Sequence, residues 1–196
     1  MLFRSALAHS ALGFVLLARG HNQDARASFE QAIQLDSTQG EPHLGLGILE
    51  MRQRRNDDAV DQFLEAVTLE PRRSLYHTYL AKALYELRRF DQAFAALTAA
   101  EQLDPQDPTP HLYAGIFQND LSKPGDAVRE FQESIRLNDG RAVYRSRFLL
   151  DEDMATKNLN LATSYSRLGL TQWANLQAIK SEAVDSSNSA THLFLA

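Results

Sequence analysis

The sequence repeats itself every 34 residues, and this period constrains the fold more than any other feature. An alanine recurs at four positions that are each 34 residues apart: Ala25, Ala59, Ala93 and Ala127. Four residues after each alanine comes a large apolar side chain. These side chains are Phe29, Phe63, Leu97 and Phe131. A period in the range of about 20 to 50 residues is typical of chains that stack one supersecondary unit many times.

Each unit contains two stripes of residues at helical spacing. In the first unit, one stripe consists of Ala25, Phe29, Ala32 and Leu35. An earlier stripe consists of Leu12, Gly13 and Leu16, and Gly20 lies between the two. Apolar residues at i, i+4, i+7 and i+10 share one face of a helix. The pattern therefore predicts an all-α chain of helix pairs, in which each helix has roughly 14 residues and is about 20 Å long.

The repeat register predicts where the units begin and end. Four consecutive units cover residues 6–39, 40–73, 74–107 and 108–141. A non-repeat insert at 142–154 follows, then a fifth unit at 155–188 and the start of a sixth at 189–196. The insert follows from His111 and His192, which hold the same repeat position and are separated by two periods plus 13 residues. We expect apolar residues near Ala196 to need a partner, because the sixth unit stops inside its first helix. The chain is then a fragment of a longer protein, or its end packs against another copy.

Composition excludes several classes of protein. The net charge is −5, which disfavours a dedicated nucleic-acid binder. The absence of cysteine excludes a disulfide scaffold, a thiolate zinc site and a cysteine nucleophile. The longest apolar run, residues 11–18, is far shorter than the roughly 20 residues that span a bilayer. We expect a soluble protein, and the composition suits the cytoplasm and the periplasm equally.

The repeat resembles a known family. A 34-residue helix-turn-helix with small, large and small residues on its second helix and a closing proline is similar to the tetratricopeptide repeat. In the second unit the motif consists of Leu46, Gly47, Ala59, Phe63, Ala66 and Pro71. The resemblance implies a right-handed α-α superhelix of five helix pairs plus the start of a sixth, and a protein-binding scaffold rather than an enzyme. Residues 149–153 and 192–196 also resemble segments of long bacterial repeat proteins with envelope roles.

The family resemblance further implies a binding surface. Its concave side is lined mainly by first helices, and the matching positions here are largely apolar or aromatic. The predicted peptide-binding residues are Phe14, Leu44, Ile48, Met51, Tyr79, Tyr85, Leu112, Tyr113 and Ile116. The basic clamp of chaperone-binding members is missing, because Ser10 and Phe14 stand at two of its positions. An exposed apolar groove of this kind suits an extended chain or a helix of a partner protein.

Arginines recur at the turns between paired helices. Those in the second and third units are Arg52, Arg55, Arg88 and Arg89. Stacked along one edge, they would favour RNA or an acidic partner. The alternative is that they complement the negative ends of helix dipoles. Two further functions thus stay open beside the groove: an adaptor that uses this basic edge, and a self-association module that uses the C-terminal end.

The sequence predicts no catalytic site, cofactor or metal site. A histidine recurs at one repeat position, but equivalent positions in neighbouring units lie roughly 10 Å or more apart, too far to share a zinc ion. We therefore expect these histidines to fill a packing position between paired helices. The G-x-G at 45–47 follows no strand and lacks the third glycine of a dinucleotide site. No nucleophile-and-base set can be assigned.

The insert is the candidate for a contact that is specific to one unit. Its Val143, Tyr144, Phe148 and Leu149 are too apolar for a free loop. We expect it to fold back on the repeats as a short helix or an extended arm. Long non-repeat insertions in compact arrays are often functional.

Overall fold

The structure, a computed structural model, describes residues 5–138 and 147–196. Within these ranges eleven helices follow one another and no strand occurs. They are α1 (Ala6–Ala18), α2 (Asn22–Leu35), α3 (Gly40–Arg52), α4 (Asn56–Leu69), α5 (Ser74–Glu86), α6 (Phe90–Leu103), α7 (Thr109–Asp120), α8 (Pro124–Arg136), α9 (Arg147–Arg167), α10 (Thr171–Val184) and α11 (Ser189–Leu195). The prediction of an all-α chain of helix pairs is confirmed. Among the described residues, no helix has both the length and the hydropathy that crossing a membrane requires.

The helix pairs are grouped into two larger compact units, residues 1–103 and 104–196. In the first unit, α1 pairs with α2, α3 with α4, and α5 with α6. The second helix of one pair also packs against the first helix of the next, so α2 contacts α3 and α4 contacts α5. In the second unit, α7 pairs with α8 and α9 with α10, while α8 packs on α9 and α11 on α10. Each unit therefore stacks its helix pairs in chain order.

Glycines on the first helices make room for the buried phenylalanines of the second helices. Phe29 is fully buried between Gly13 of its own pair and Gly45 of the next. A Cβ added at Gly13 would lie 2.5 Å from the Phe29 ring, and one at Gly45 only 2.2 Å from it. Phe63 and Phe131 each meet the glycine of their own pair in this way, Gly47 and Gly115. This close approach explains why a residue that weakens helices recurs inside them.

Where the phenylalanine is replaced, the facing residue changes with it. In the third pair Leu97 is the large residue, and Ala81 stands where the first, second and fourth pairs have glycine. In the fifth pair Ala178 and Ala162 hold these two positions, and both are fully buried. A smaller second-helix residue thus tolerates the extra methyl group, as close packing requires.

Every turn between paired helices uses one residue with a left-handed backbone. These residues are Gly20 (φ 80°), Arg54 (φ 59°), Arg88 (φ 58°), Ser122 (φ 59°) and Gly169 (φ 74°). All five hold the same repeat position, which follows the C-terminal end of the first helix. Because a Cβ disfavours this conformation, only the two glycines adopt it without strain.

Replacing Arg54 with glycine should stabilise the protein by about 1 kcal/mol and raise its melting temperature by about 2–4 °C. Gly20→Ala should lower stability by a similar amount, although no atom lies within 4 Å of the added Cβ. Thermal unfolding followed by circular dichroism measures both changes. If Arg54→Gly and Gly20→Ala changed the melting temperature equally and in the same direction, the assignment of backbone strain to this turn position would be contradicted.

The C-terminal part of the predicted insert is helical. Helix α9 begins at Arg147, so residues 147–154 continue directly into the first helix of the fifth pair. Residues 139–146, which include Val143 and Tyr144, lie outside the described residues, and so do the side chains of Phe148 and Leu149. The predicted contact of the insert with the repeats therefore stays a prediction.

Candidate functional site

The first helices of the first unit lie side by side and place the predicted groove residues on neighbouring elements. Helix α3 contacts both α1 and α5. Ile48 and Met51 on α3, and Tyr79 and Tyr85 on α5, are all partly exposed. We call these four residues the first-helix face. They are the predicted groove residues of α3 and α5 whose surface a partner could reach.

The other predicted groove residues of this unit contribute less surface. Leu44 is only 4% exposed, so its side chain belongs to the core. The Phe14 ring meets the Phe29 ring edge-on with centroids 5.0 Å apart. Phe14 and Ile48 both pack against the cluster that contains Phe29 and Leu49. The position of these residues on first helices follows from the sequence, but which of them face the core and which face solvent does not.

Two aromatic contacts hold the tyrosines of α5 in place. The Tyr79 ring lies 5.7 Å from the Phe63 ring, and Lys82 Nζ lies 4.7 Å from the Tyr79 centroid. Tyr85 packs against Phe90 with centroids 5.1 Å apart. Aromatic pairs and cation–π contacts at these distances are attractive. Both rings are therefore positioned by neighbours before any partner binds.

The predicted groove residues of α7 belong to the second unit. Leu112 and Ile116 are partly buried and pack against a core cluster that includes Phe131 and Leu161. The Tyr113 ring lies 6.2 Å from the Phe117 ring. All three therefore have packing roles within their own unit.

A charge cluster fixes the joint between the second and third pairs. The Glu70 carboxylate accepts hydrogen bonds from the Gly40 amide at 2.8 Å, from Arg73 at 2.9 Å and from the Tyr76 hydroxyl at 3.4 Å. Burial alone would raise the pKa of Glu70, but these hydrogen bonds and the Arg73 charge outweigh it and hold that pKa below its usual value. Burial also raises the pKa of Tyr76 to about 12, together with the negative charge of Glu70. The ionised Glu70 thus ties the start of α3 to the end of α4.

Three of the four arginines of the predicted basic edge already hold partners within the chain. Arg55 pairs with the buried Glu50 carboxylate, and Arg89 pairs with Asp57 at 3.1 Å. Arg52 donates to the backbone carbonyl of Leu17 at 2.7 Å, near the end of α1. Only the Arg52 contact fits the alternative that these arginines complement the negative ends of helices, because Arg55 and Arg89 pair with carboxylate side chains.

A second arginine repeats the contact that Arg52 makes. Arg167, at the same repeat position in α9, donates to the carbonyl of Asn119 near the end of α7 at 2.5 Å. In both units this bond ties the ends of two first helices together. The sequence left a helix-end role open for such arginines, but it did not predict that the bond crosses to the neighbouring first helix.

An exposed apolar surface on α10 was also missed. Trp173, Leu176 and Ile179 are 60%, 52% and 53% exposed. Equivalent positions in the earlier pairs are mostly polar or charged; Asp24 and Asp58, for example, correspond to Trp173. Comparison of the repeats column by column would have found this difference.

The same helix pattern is found in known proteins. Sequence models described as tetratricopeptide repeats match residues 6–39 and 44–108, which together are about half of the chain. The chain belongs to the tetratricopeptide repeat family. A search of curated proteins finds no match.

Solved structures of tetratricopeptide repeat proteins share the fold. One chain of the APC/C hetero-tetramer Cut9–Hcn1 superposes with a TM-score of 0.82 at 19% identity; the match covers 98% of this chain but only 36% of that one. TTC0263, a thermophilic TPR protein of Thermus thermophilus, superposes with a TM-score of 0.77 at 20% identity and 96% coverage of both chains. YrrB, described as a TPR protein with an unusual peptide-binding site, gives 0.62 at 16% identity, with 97% of this chain and 91% of YrrB covered. At these identities the comparison establishes the fold alone.

The family and fold support a protein–protein interaction scaffold, and tetratricopeptide repeat proteins are generally non-catalytic. The fold alone does not select the partner. The surfaces described above are the basis for proposing how this repeat protein binds one.

Proposed function

We propose that the protein binds a peptide segment of a partner protein on its first-helix face, without catalysis. The observation that carries the proposal is the set of partly exposed apolar and aromatic side chains on two neighbouring helices, Ile48 and Met51 on α3 and Tyr79 and Tyr85 on α5. Aromatic residues and methionine are enriched in protein interfaces. Tyr79 and Tyr85 are held by their neighbours, so little side-chain freedom is lost on binding.

Charge near this face indicates what the peptide carries. Lys82 lies over the Tyr79 ring and is partly exposed. An apolar peptide with an acidic residue near its anchor would therefore be favoured over a basic one. The fold that this chain shares with YrrB, a TPR protein with a peptide-binding site, is consistent with this use.

Replacing Ile48 and Tyr85 together with glutamine should weaken peptide binding at least tenfold, since each removes an apolar anchor. Peptides are selected from a random library on the unmodified protein, and their dissociation constants are then measured by calorimetry. The matched control is Leu64→Gln with Leu103→Gln, two exposed leucines on second helices. Unchanged affinity in a double variant that is still helical would contradict the proposal.

Two other functions can be distinguished by measurements on the same purified protein. Leu193 on α11 is 80% exposed, which favours the self-association alternative; a mass that rises with concentration in sedimentation would support it. The basic-edge alternative has less support, because Arg52, Arg55 and Arg89 are engaged within the chain. That alternative would be favoured by a selected ligand whose affinity falls steeply with added salt and is unchanged when Ile48 and Tyr85 are replaced.

A further inference from the structure

The recurring histidines make one particular contact in two of the helix pairs. His43 Nδ1 on α3 lies 2.9 Å from Gln62 Oε1 on α4. In the second unit, His111 Nδ1 on α7 lies 2.9 Å from Glu130 Oε2 on α8. In each pair a planar ring near the start of the first helix hydrogen-bonds a side-chain oxygen of the second helix. This confirms that His43 and His111 occupy a packing position between paired helices.

The fifth pair has the corresponding side-chain oxygen on its second helix but no histidine ring on its first. Asn158 on α9 stands at the histidine position, and Gln177 on α10 corresponds to Gln62 and Glu130. Gln177 Oε1 is buried, and within the described part of the chain it has no hydrogen-bond partner. A buried acceptor without a donor is unfavourable, so this oxygen would gain from a donor that a ligand supplies.

A pocket of about 440 Å³ opens at this place, between α8 and α10 and over α9. Its apolar walls include Ile135, Leu161 and Val184. Its polar lining includes Asn158, Gln177 and Lys180. A mostly apolar pocket of this volume with a few convergent polar groups is typical of ligand sites.

We propose that this pocket receives the indole ring of a tryptophan side chain from a partner protein. The ring must be planar and carry an N–H donor, because a histidine ring in this place donates to the corresponding oxygen in two other pairs. Among protein side chains only histidine and tryptophan meet both conditions. Lys180 on the lining disfavours a protonated imidazole and is attracted to the face of an indole. The site is separate from the first-helix face and does not depend on the function proposed for it.

The hydrogen bond to Gln177 is tested with two ring compounds of similar shape. Indole carries an N–H donor and benzofuran does not. Titrations followed by NMR should show that the protein prefers indole by about five- to tenfold, the effect of one neutral hydrogen bond. Gln177→Met should abolish this preference. Gln172→Met, at an exposed glutamine on the same helix, should leave it unchanged.

A second variant fills the pocket from within. Asn158→His should restore the pattern of the second and fourth pairs, raise the melting temperature by about 2–4 °C and prevent indole binding. Helical content measured by circular dichroism shows that the variant is folded. If Asn158→His fails to fold, Val184→Phe, at a partly exposed wall residue, blocks the same pocket.

Each remaining outcome overturns the proposal. Equal affinity for indole and benzofuran would show that Gln177 makes no contact with the ring. Indole shifts that persist in both filled variants would place the ring elsewhere, and the absence of shifts at millimolar indole would show that the pocket takes no ring. Binding of indole but not of N-acetyltryptophanamide would indicate a free small molecule instead of a protein side chain.

Discussion

Replacing Gly45 with alanine should destabilise the protein by about 1–3 kcal/mol. The added Cβ would lie 2.2 Å from Cζ of Phe29, a fully buried ring that helices of two successive pairs enclose. Elsewhere inside a helix the same change would stabilise by up to about 1 kcal/mol, because alanine is the better helix former. The sign of the effect therefore reports the close packing between pairs. Urea unfolding followed by circular dichroism measures it.

The chain itself suggests how to relieve this clash. The third pair combines Ala81 with Leu97 where the first pair has Gly13 with Phe29, so leucine in place of this phenylalanine leaves room for a methyl group on a facing helix. In a Phe29→Leu background, Gly45→Ala should therefore lose at least half of its cost, which a double-mutant cycle measures. Gly125→Ala is the matched control, since no atom lies within 4 Å of a Cβ there. If Gly45→Ala were as mild as Gly125→Ala, the explanation of Gly45 by close packing against Phe29 would be wrong.

Replacing both Arg26 and Arg55 with methionine should destabilise the protein by about 3–5 kcal/mol. The two arginines bind the two oxygens of Glu50, whose side chain is only 8% exposed. Arg26 lies on α2, Glu50 on α3 and Arg55 just before α4, so the cluster joins two successive pairs. Without both partners, a negative charge remains buried and unpaired, and that is the origin of the large cost.

Removing the carboxylate should have a much smaller effect. Glu50→Leu leaves two arginines that are already partly exposed and can be solvated. Leucine also stands at this repeat position in the first and third pairs, as Leu16 and Leu84. The change should be close to neutral or stabilising, and methionine at the exposed Arg54 and Arg72 is the control for lost surface charge. A cost for Glu50→Leu equal to that of the double arginine variant would contradict the role of the buried charge.

Much of the fold could be predicted because the same local pattern of residues occurs several times along the sequence. A single Ala25–Phe29–Ala32 stripe fits many folds, but its recurrence at one period leaves only stacked helix pairs. The left-handed turn position could be predicted from the glycine at Gly20 but not from Arg54 or Ser122. Residues with a side chain can also adopt that conformation, at a cost in energy. The insert was harder to interpret, since a stretch without a repeat has no other copies to compare.

The candidate site could be predicted only in part. The repeat position of Ile48, Met51, Tyr79 and Tyr85 follows from the sequence, but their exposure depends on which neighbours cover them. Leu44 shares a helix with Ile48 and is nevertheless buried. Burial is set by side chains from other helices, and a period within one helix does not contain that information.

The sequence by itself determined the helical period, the small–large–small packing positions and hence the stacked pairs, because these depend on spacing along one chain. The tertiary structure decided which polar groups are buried between the pairs: Glu50 beneath two arginines, Lys157 against Asn138 at 2.6 Å, and Gln177 beside an open pocket. The physical reason is that burial of a polar group is governed by the partners that surround it, and those partners come from helices distant in sequence.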